Sequence, residues 1–143
     1  MYVWELQFSG TKYRITPIPD LQNLLSYHGF SIRITGKTGI RFKTGISAEL
    51  RKQLIEAGVA GYTLKEYGTL VMNNANRVQY PLIKGGAKVL SGLSYGINSN
   101  GALEDKIYET VDGRHRYTSV LVGLPVAQYQ TEFAFRGYAV LTK

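Results

Sequence analysis

The sequence predicts an all-β fold, a two-sheet antiparallel β-sandwich carrying one short helix. Three observations lead there. Sixteen Gly and eleven Tyr in 143 residues favour strands joined by tight turns. Runs rich in β-branched and aromatic residues recur along the chain, and one stretch alone has convincing helical spacing. Asp112-Gly113, set between two such runs, marks a two-residue hairpin.

The N-terminal run YVWELQF (Tyr2–Phe8) alternates Val3, Glu5 and Gln7 against Trp4, Leu6 and Phe8, as a strand with one buried face does. Ser9–Lys12 is a turn, Tyr13–Thr16 its returning partner, and Pro17–Asp20 ends the pair because proline withholds ladder donors. Leu21–Tyr27 is too short to assign. Ser31–Thr35 and Gly39–Ile46 are strands joined by Gly36-Lys37-Thr38. That GKT is not a phosphate loop: Ser31 stands where the loop needs Gly, and a strand follows instead of a helix.

Ser47–Ala57 is the helix, with Ser47 as N-cap, Glu49 in the first turn and Gly58 closing the end. Leu50, Leu54 and Ile55 form its apolar stripe, and Arg51, Lys52 and Glu56 read as a solvated face. YTLKEYGTLVMN (Tyr62–Asn73) reads as the central strand. Strict alternation puts Leu64, Glu66, Gly68, Leu70 and Met72 on one face. Gly68 leaves room there for another backbone or a ring. Glu66 must then find a partner, and Arg41 and Arg136 from neighbouring strands are the expected ones, forming a structural ion-pair cluster.

Asn73–Arg77 is a polar turn, and Val78–Ile83 a short edge strand marked by Pro81. Lys84–Asp105 is the least regular part, with Gly96–Gly101 as a loop. Lys106–Val111 and Arg114–Leu124 flank Asp112-Gly113, a register that pairs Val111 with Arg114, Glu109 with Arg116 and Tyr108 with Tyr117. Val126–Thr131 is a link, and Phe133–Leu141 the last strand. The expectation is one β-sandwich domain over residues 1–143, immunoglobulin-like in architecture, with residues 1–30 a candidate N-terminal β-hairpin extension.

GIRFKT, EYGTLV, VLVGLP with QYQTE, and FRGYAVL occur in that order over residues 31–143. This series resembles an uncharacterised all-β domain recurring in large secreted or cell-surface proteins of Gram-positive, especially clostridial, bacteria and in their phages. In that pattern a small residue and Arg precede the final Gly-Tyr, whereas here Phe135 comes directly before Arg136. The resemblance implies a non-catalytic accessory module for adhesion, assembly or spacing, extracellular, on the cell surface or in a virion. An alternative from a different class is a phage capsid or tail protein whose basic face meets nucleic acid or other virion proteins.

Composition narrows the chemistry. With 44% hydrophobic and 19% charged residues the chain is globular. It lacks Cys, which removes disulfides and thiolate metal sites, and no metal-ligand spacing appears. No apolar run approaches the roughly 20 residues of a membrane helix, so no membrane insertion is expected. The N-terminus lacks the basic-then-apolar order of a secretory signal, so an exported form implies a mature or excised fragment. Two His, His28 and His115, leave few nucleophile–base sets, so no enzyme, catalytic residue or cofactor is expected. The net charge of +7 admits an anionic partner, although the cations are scattered apart from Arg114-His115-Arg116. The candidate ligand-binding residues are Trp4, Tyr62, Tyr80 and Tyr95, as flat rings for a glycan, together with Arg114, His115 and Arg116.

Overall fold

In the computed structural model, which describes residues 3–6, 13–16, 19–33, 39–122 and 131–143, the β-rich runs form ten strands. These are β1 (Val3–Leu6), β2 (Tyr13–Thr16), β3 (Leu25–Arg33), β4 (Gly39–Ser47), β5 (Thr63–Asn73), β6 (Leu90–Ile97), β7 (Leu103–Asp105), β8 (Glu109–Val111), β9 (Arg114–Val122) and β10 (Phe133–Thr142). One helix, α1 (Ala48–Glu56), joins β4 to β5. The strands make two sheets, ordered β2-β1-β10-β5-β6-β7 and β3-β4-β9-β8. Every pairing is antiparallel except β1 with β10, which run parallel. The fold is thus the expected all-β sandwich with one short helix. The expected turns at Ser9–Lys12 and Gly36–Thr38, Pro17, the end of the Arg114–Leu124 strand and nearly all of the Val126–Thr131 link lie outside the described residues.

Alternation decides what each sheet buries. Phe42, Thr44 and Ile46 of β4 and Tyr117 of β9 point between the sheets and are buried. They meet the inner face of the larger sheet: Phe42 packs on Phe135 with ring centroids 4.6 Å apart, Tyr117 on Tyr67 at 4.9 Å, and Thr44 bonds Thr69 at 3.3 Å. Leu54 of α1 closes this core at one end, with Leu21, Leu24 and Leu141. A second cluster, Leu70, Met72, Leu82, Tyr138 and Val140, lies on the other face of β5 and β10, under Tyr80, Ile83 and Val89. Being covered on both faces is why β5 is buried continuously from Tyr67 to Met72.

β5 is the middle of the larger sheet, but its neighbours are β10 and β6, not β10 and β4. The GIRFKTGI strand belongs to the opposite sheet. A bulge also interrupts the β5–β10 register, so that Val140 faces Glu66 while Leu141 faces Leu64. The extra residue flips the alternation. Leu64 therefore joins the inter-sheet core, and Glu66 stays with Leu70 and Met72 on the other face.

Four more expectations are corrected. Val78–Ile83 is no strand: a 3-10 turn, Asn74–Val78, capped by the Asn73 side chain, runs into a loop across the second core. The irregular region after Lys84 holds β6 and β7, joined through a loop that the Asn98 side chain organises by accepting from the Asn100 and Ala102 amides. β3 begins at Leu25, and its register shifts at Tyr27–Phe30, where Gly29 takes φ +89°. That bulge breaks the alternation that would have marked the strand. The helix starts and stops as expected: Ser47 Oγ accepts from the Leu50 amide, and Gly58, at φ +83°, donates to the Gln53 carbonyl at 2.7 Å. Arg51, however, is no solvated residue; it bonds Asp105 at 2.8 Å and the Tyr67 hydroxyl at 3.1 Å.

Candidate functional site

Charge is divided unequally between the two sheets. The strands of the smaller sheet carry Arg33, Arg41, Lys43, Arg114 and Arg116 against a single carboxylate, Glu109. Those of the larger sheet carry Arg14, Lys65 and Arg136 against Glu5, Glu66, Glu104 and Asp105. Strand period places four of the cations together. Because Phe42, Thr44, Ile46 and Tyr117 face inward, Arg41, Lys43, Arg114 and Arg116 fall on the outer face. The register then sets Arg41 beside Val120, Lys43 beside Thr118, and Gly45 beside Arg116. Ser26 of β3 lies across from Gly45, and Glu109 of β8 across from Arg116. One row thus crosses all four strands: Ser26, Gly45, Arg116, Glu109.

In the middle of this row, at Gly45, the His28 imidazole fills the space a side chain would take. A methyl group at Gly45 would stand 2.5 Å from His28 Nε2 and 2.7 Å from Ser26 Oγ, so glycine is what lets the imidazole lie over β4. His28 Nε2 and Ser26 Oγ are hydrogen-bonded at 2.7 Å. Partial burial, then the Arg116 and Arg114 guanidiniums, lower the His28 pKa, while Glu109 opposes them. On β9, Arg116 NH1 donates to Glu109 at 3.0 Å, and Arg114 NH1 donates to the Leu24 carbonyl at 3.2 Å. Arg41 lies over the exposed ring of Tyr108, 5.7 Å from its centroid. Among the described residues, the Nε–H groups of Arg41 and Arg116 meet no acceptor. The face offers guanidinium and hydroxyl donors with one local counter-charge, a combination suited to oxyanions.

The Arg114-His115-Arg116 triplet does not act as a unit. Arg114 and Arg116 lie on the outer face. His115 turns to the other side, where its Nδ1 bonds Thr110 at 2.7 Å. Its pKa is lowered by partial burial and then by the Arg51 charge, with Asp105 opposing. His115 is therefore partly covered.

The three candidate rings with described side chains, Tyr62, Tyr80 and Tyr95, are not brought together. Trp4 lies on β1, between Ile15 of β2 and Val140 of β10. Tyr62 is buried beside Leu54 and the helix end. Tyr80 covers the second core. Tyr95 stacks on Tyr67, centroids 5.5 Å apart, with Arg51 5.0 Å over its ring. Tyr62, Tyr80 and Tyr95 each have a packing role in a different place. Tyr108 and Tyr117 do not brace the hairpin as a pair either: Tyr117 is in the core and Tyr108 is exposed. The pairs Val111–Arg114 and Glu109–Arg116 do form, across a turn with Asp112 at φ +52° and Gly113 at φ +74°.

The expected cluster of Arg41, Glu66 and Arg136 does not assemble. Arg41 is on the opposite sheet, and Arg136 sits across from Leu70, well along the strand from Glu66, with a guanidinium N–H donating to the Leu82 carbonyl. Glu66 instead accepts from the Tyr138 hydroxyl at 2.6 Å and pairs with Lys84 at 3.6 Å.

The residues that sequence reasoning missed are Ser26, His28, Lys43 and Gly45. A signal existed: Arg41, Lys43 and Gly45 are spaced by two, as are Arg114 and Arg116, so any pairing of these strands aligns the cations. No group of three or more His, Asp or Glu among the described residues could hold a metal ion, and no described helix is long and apolar enough to cross a membrane. No family model, curated protein or solved structure matches this chain.

Proposed function

We propose that this protein is a non-catalytic β-sandwich module that docks an anionic polymer on the outer face of its smaller sheet. The observation that carries this reading is the charge asymmetry: Arg41, Lys43, Arg114 and Arg116 share one face with Glu109 as the only carboxylate on those strands. Such a face attracts polyanions over several ångströms and gains from releasing their counterions. A neutral glycan has less support, since Tyr62, Tyr80 and Tyr95 are dispersed into packing roles. The ordered motifs GIRFKT, EYGTLV and FRGYAVL support a setting in a secreted, surface or virion protein, where such docking provides adhesion or assembly.

The test is titration of the protein with an anionic polysaccharide and with single- and double-stranded DNA at several salt concentrations, beside a neutral oligosaccharide. Binding to at least one polyanion should weaken steeply with salt, and Arg41→Gln with Lys43→Gln should flatten that dependence. Equal affinity for charged and neutral polymers, or none for any polyanion, would reject the reading.

A further inference from the structure

Two open sheets leave four edge strands, and three of these are short and charged. β7 is three residues with two carboxylates, β8 is three residues with Glu109 tied to Arg116, and β2 is four residues with Arg14 among them. Shortness and charge keep an edge from pairing with other chains. β3 is the exception. It runs nine residues, and its first eight, LSYHGFSI, hold no Pro, Lys, Arg, Asp or Glu. The one interruption is the bulge at Tyr27–Phe30. His28 does not guard it, because its ring lies inward over Gly45 of β4.

Three large apolar side chains stand along this edge. The register sets Tyr27, Phe30 and Ile32 across from Thr44, Phe42 and Ile40, so all three belong to the inner side of the sheet. That side is covered elsewhere, but here Tyr27 and Phe30 are each 62% exposed and Ile32 is 60% exposed. They continue the core: Phe42 packs on Phe135 at 4.6 Å between ring centroids, and Phe135 on Tyr27 at 5.4 Å. An aromatic row thus runs out of the sandwich and stops uncovered at β3.

We propose that β3 is a docking edge for an extended acidic segment of a partner protein, which adds a fifth strand to the smaller sheet beside residues 27–33. Alternate N–H and C=O groups of an edge strand point away from its neighbour, and they hold such a segment by main-chain hydrogen bonds. Its inward side chains, being apolar, cover Tyr27, Phe30 and Ile32. Charge selects its outward ones. β3 and β4 carry Arg33, Arg41 and Lys43 and no carboxylate. A second copy, β3 laid against β3, would bring the same cations and no counter-charge. A segment alternating apolar residues with Asp or Glu complements both the exposed row and the basic face. This goes beyond polyanion docking: the partner is a peptide, read by strand pairing and apolar cover, at the edge of the sheet instead of on its outer face.

The probe is a blocked peptide of alternating glutamate and valine, titrated into the whole protein by NMR. The amides of β3 should shift saturably, and those on its free side should exchange more slowly once the peptide is bound. A lysine–valine peptide of the same pattern, and the glutamate peptide with a central proline, should each bind at least about tenfold more weakly, from like charge and from a lost ladder donor. Phe30→Glu should weaken the glutamate peptide by a similar factor, about tenfold or more, since it puts like charge where apolar cover is needed. Ile32→Glu is the second variant, and an unchanged amide spectrum away from β3 shows that each is folded. Both should leave the salt-dependent binding of polyanions in place, so that failure at the edge and failure of the basic face are told apart. No saturable shift in β3, equal affinity for the lysine or proline peptide, or full affinity in both variants would overturn the docking edge. A dimer in sedimentation that Phe30→Glu dissociates would also overturn it, by assigning the edge to a second copy of this chain.

Discussion

Tyr117 crosses the sandwich to donate its hydroxyl to the Gly68 carbonyl at 3.1 Å. It reaches that atom because Gly137 has no side chain; a methyl there would stand 2.7 Å from the phenol oxygen. The bond is fully buried and joins β9 of one sheet to β5 of the other. Tyr117→Phe should therefore cost about 1–3 kcal/mol by leaving a buried acceptor short of a donor. Denaturant midpoints measure it.

The same burial pushes the Tyr117 and Tyr67 pKa values up, in Tyr67 against the opposing Arg51 charge. A raised tyrosine pKa means that the folded state holds the proton more firmly than the unfolded chain. The stabilisation is complete below the unfolded value, about 10, and is lost as pH rises above it. Stability should thus be flat through neutral pH and fall beyond about pH 10, with a shallower fall in Tyr117→Phe. Equal alkaline slopes in both proteins would count against this account.

Two glycines separate two kinds of constraint. Gly68 lies where a methyl would come within 2.0 Å of the Gly92 carbonyl, a backbone atom that cannot give way. Gly113 has open space around it but a φ of +74°. Gly68→Ala should therefore cost about 3 kcal/mol or more, by overpacking between strands. Gly113→Ala should cost about 1–2 kcal/mol through backbone strain alone, with Gly113→Val worse because it is β-branched. Thermal melts of the three variants give the order.

What was readable in the sequence follows from locality. The Asp112-Gly113 turn, the Ser47 cap and the close approach at Gly68 each depend on a few adjacent residues, and each formed as expected. What failed needed information from elsewhere in the chain. One bulge at Lys65 moved Leu64 to the opposite face from Glu66, and another near Gly29 concealed most of β3. Alternation cannot foresee an inserted residue, because the extra residue reverses every position beyond it. Which strand joins which sheet is likewise absent from local pattern, so Arg41 was placed beside Glu66 when it belongs across the sandwich. The basic face depended on both: its register is long-range, and its His28 sits on the bulged strand.

Glu66 still has partners, though not those expected. Its carboxylate accepts from Tyr138 at 2.6 Å and faces Lys84 at 3.6 Å, with only 15% of its side chain exposed. Glu66→Ala removes an acceptor from a buried hydroxyl and a neighbour from a half-covered ammonium. The expected cost is about 1.5–3 kcal/mol. Glu56→Ala, on the exposed side of α1, should stay within about 0.5 kcal/mol. A double-mutant cycle with Tyr138→Phe should show coupling, since the two groups touch. Additive effects would mean that the hydrogen bond contributes nothing of its own.

Arg51 is the clearest case of a surface-looking residue that holds the fold together. Its guanidinium bonds Asp105 of β7 at 2.8 Å and Tyr67 of β5 at 3.1 Å while lying 5.0 Å over Tyr95 of β6. One helix residue thereby touches three adjacent strands, the last of them the short edge strand of its sheet. The planar fork can serve the carboxylate, the phenol and the ring face together, whereas a lysine ammonium is a point donor that cannot. Arg51→Lys should therefore behave as a loss, of about 1–2 kcal/mol, despite keeping the charge. The loss should be local as well as global. The β6–β7 ladder, in which Tyr95 faces Asp105, should exchange its amide hydrogens faster, while the β4–β9 ladder on the other sheet keeps its protection. Uniform loss of protection across both sheets, or none in β7, would show that Arg51 does not pin this edge.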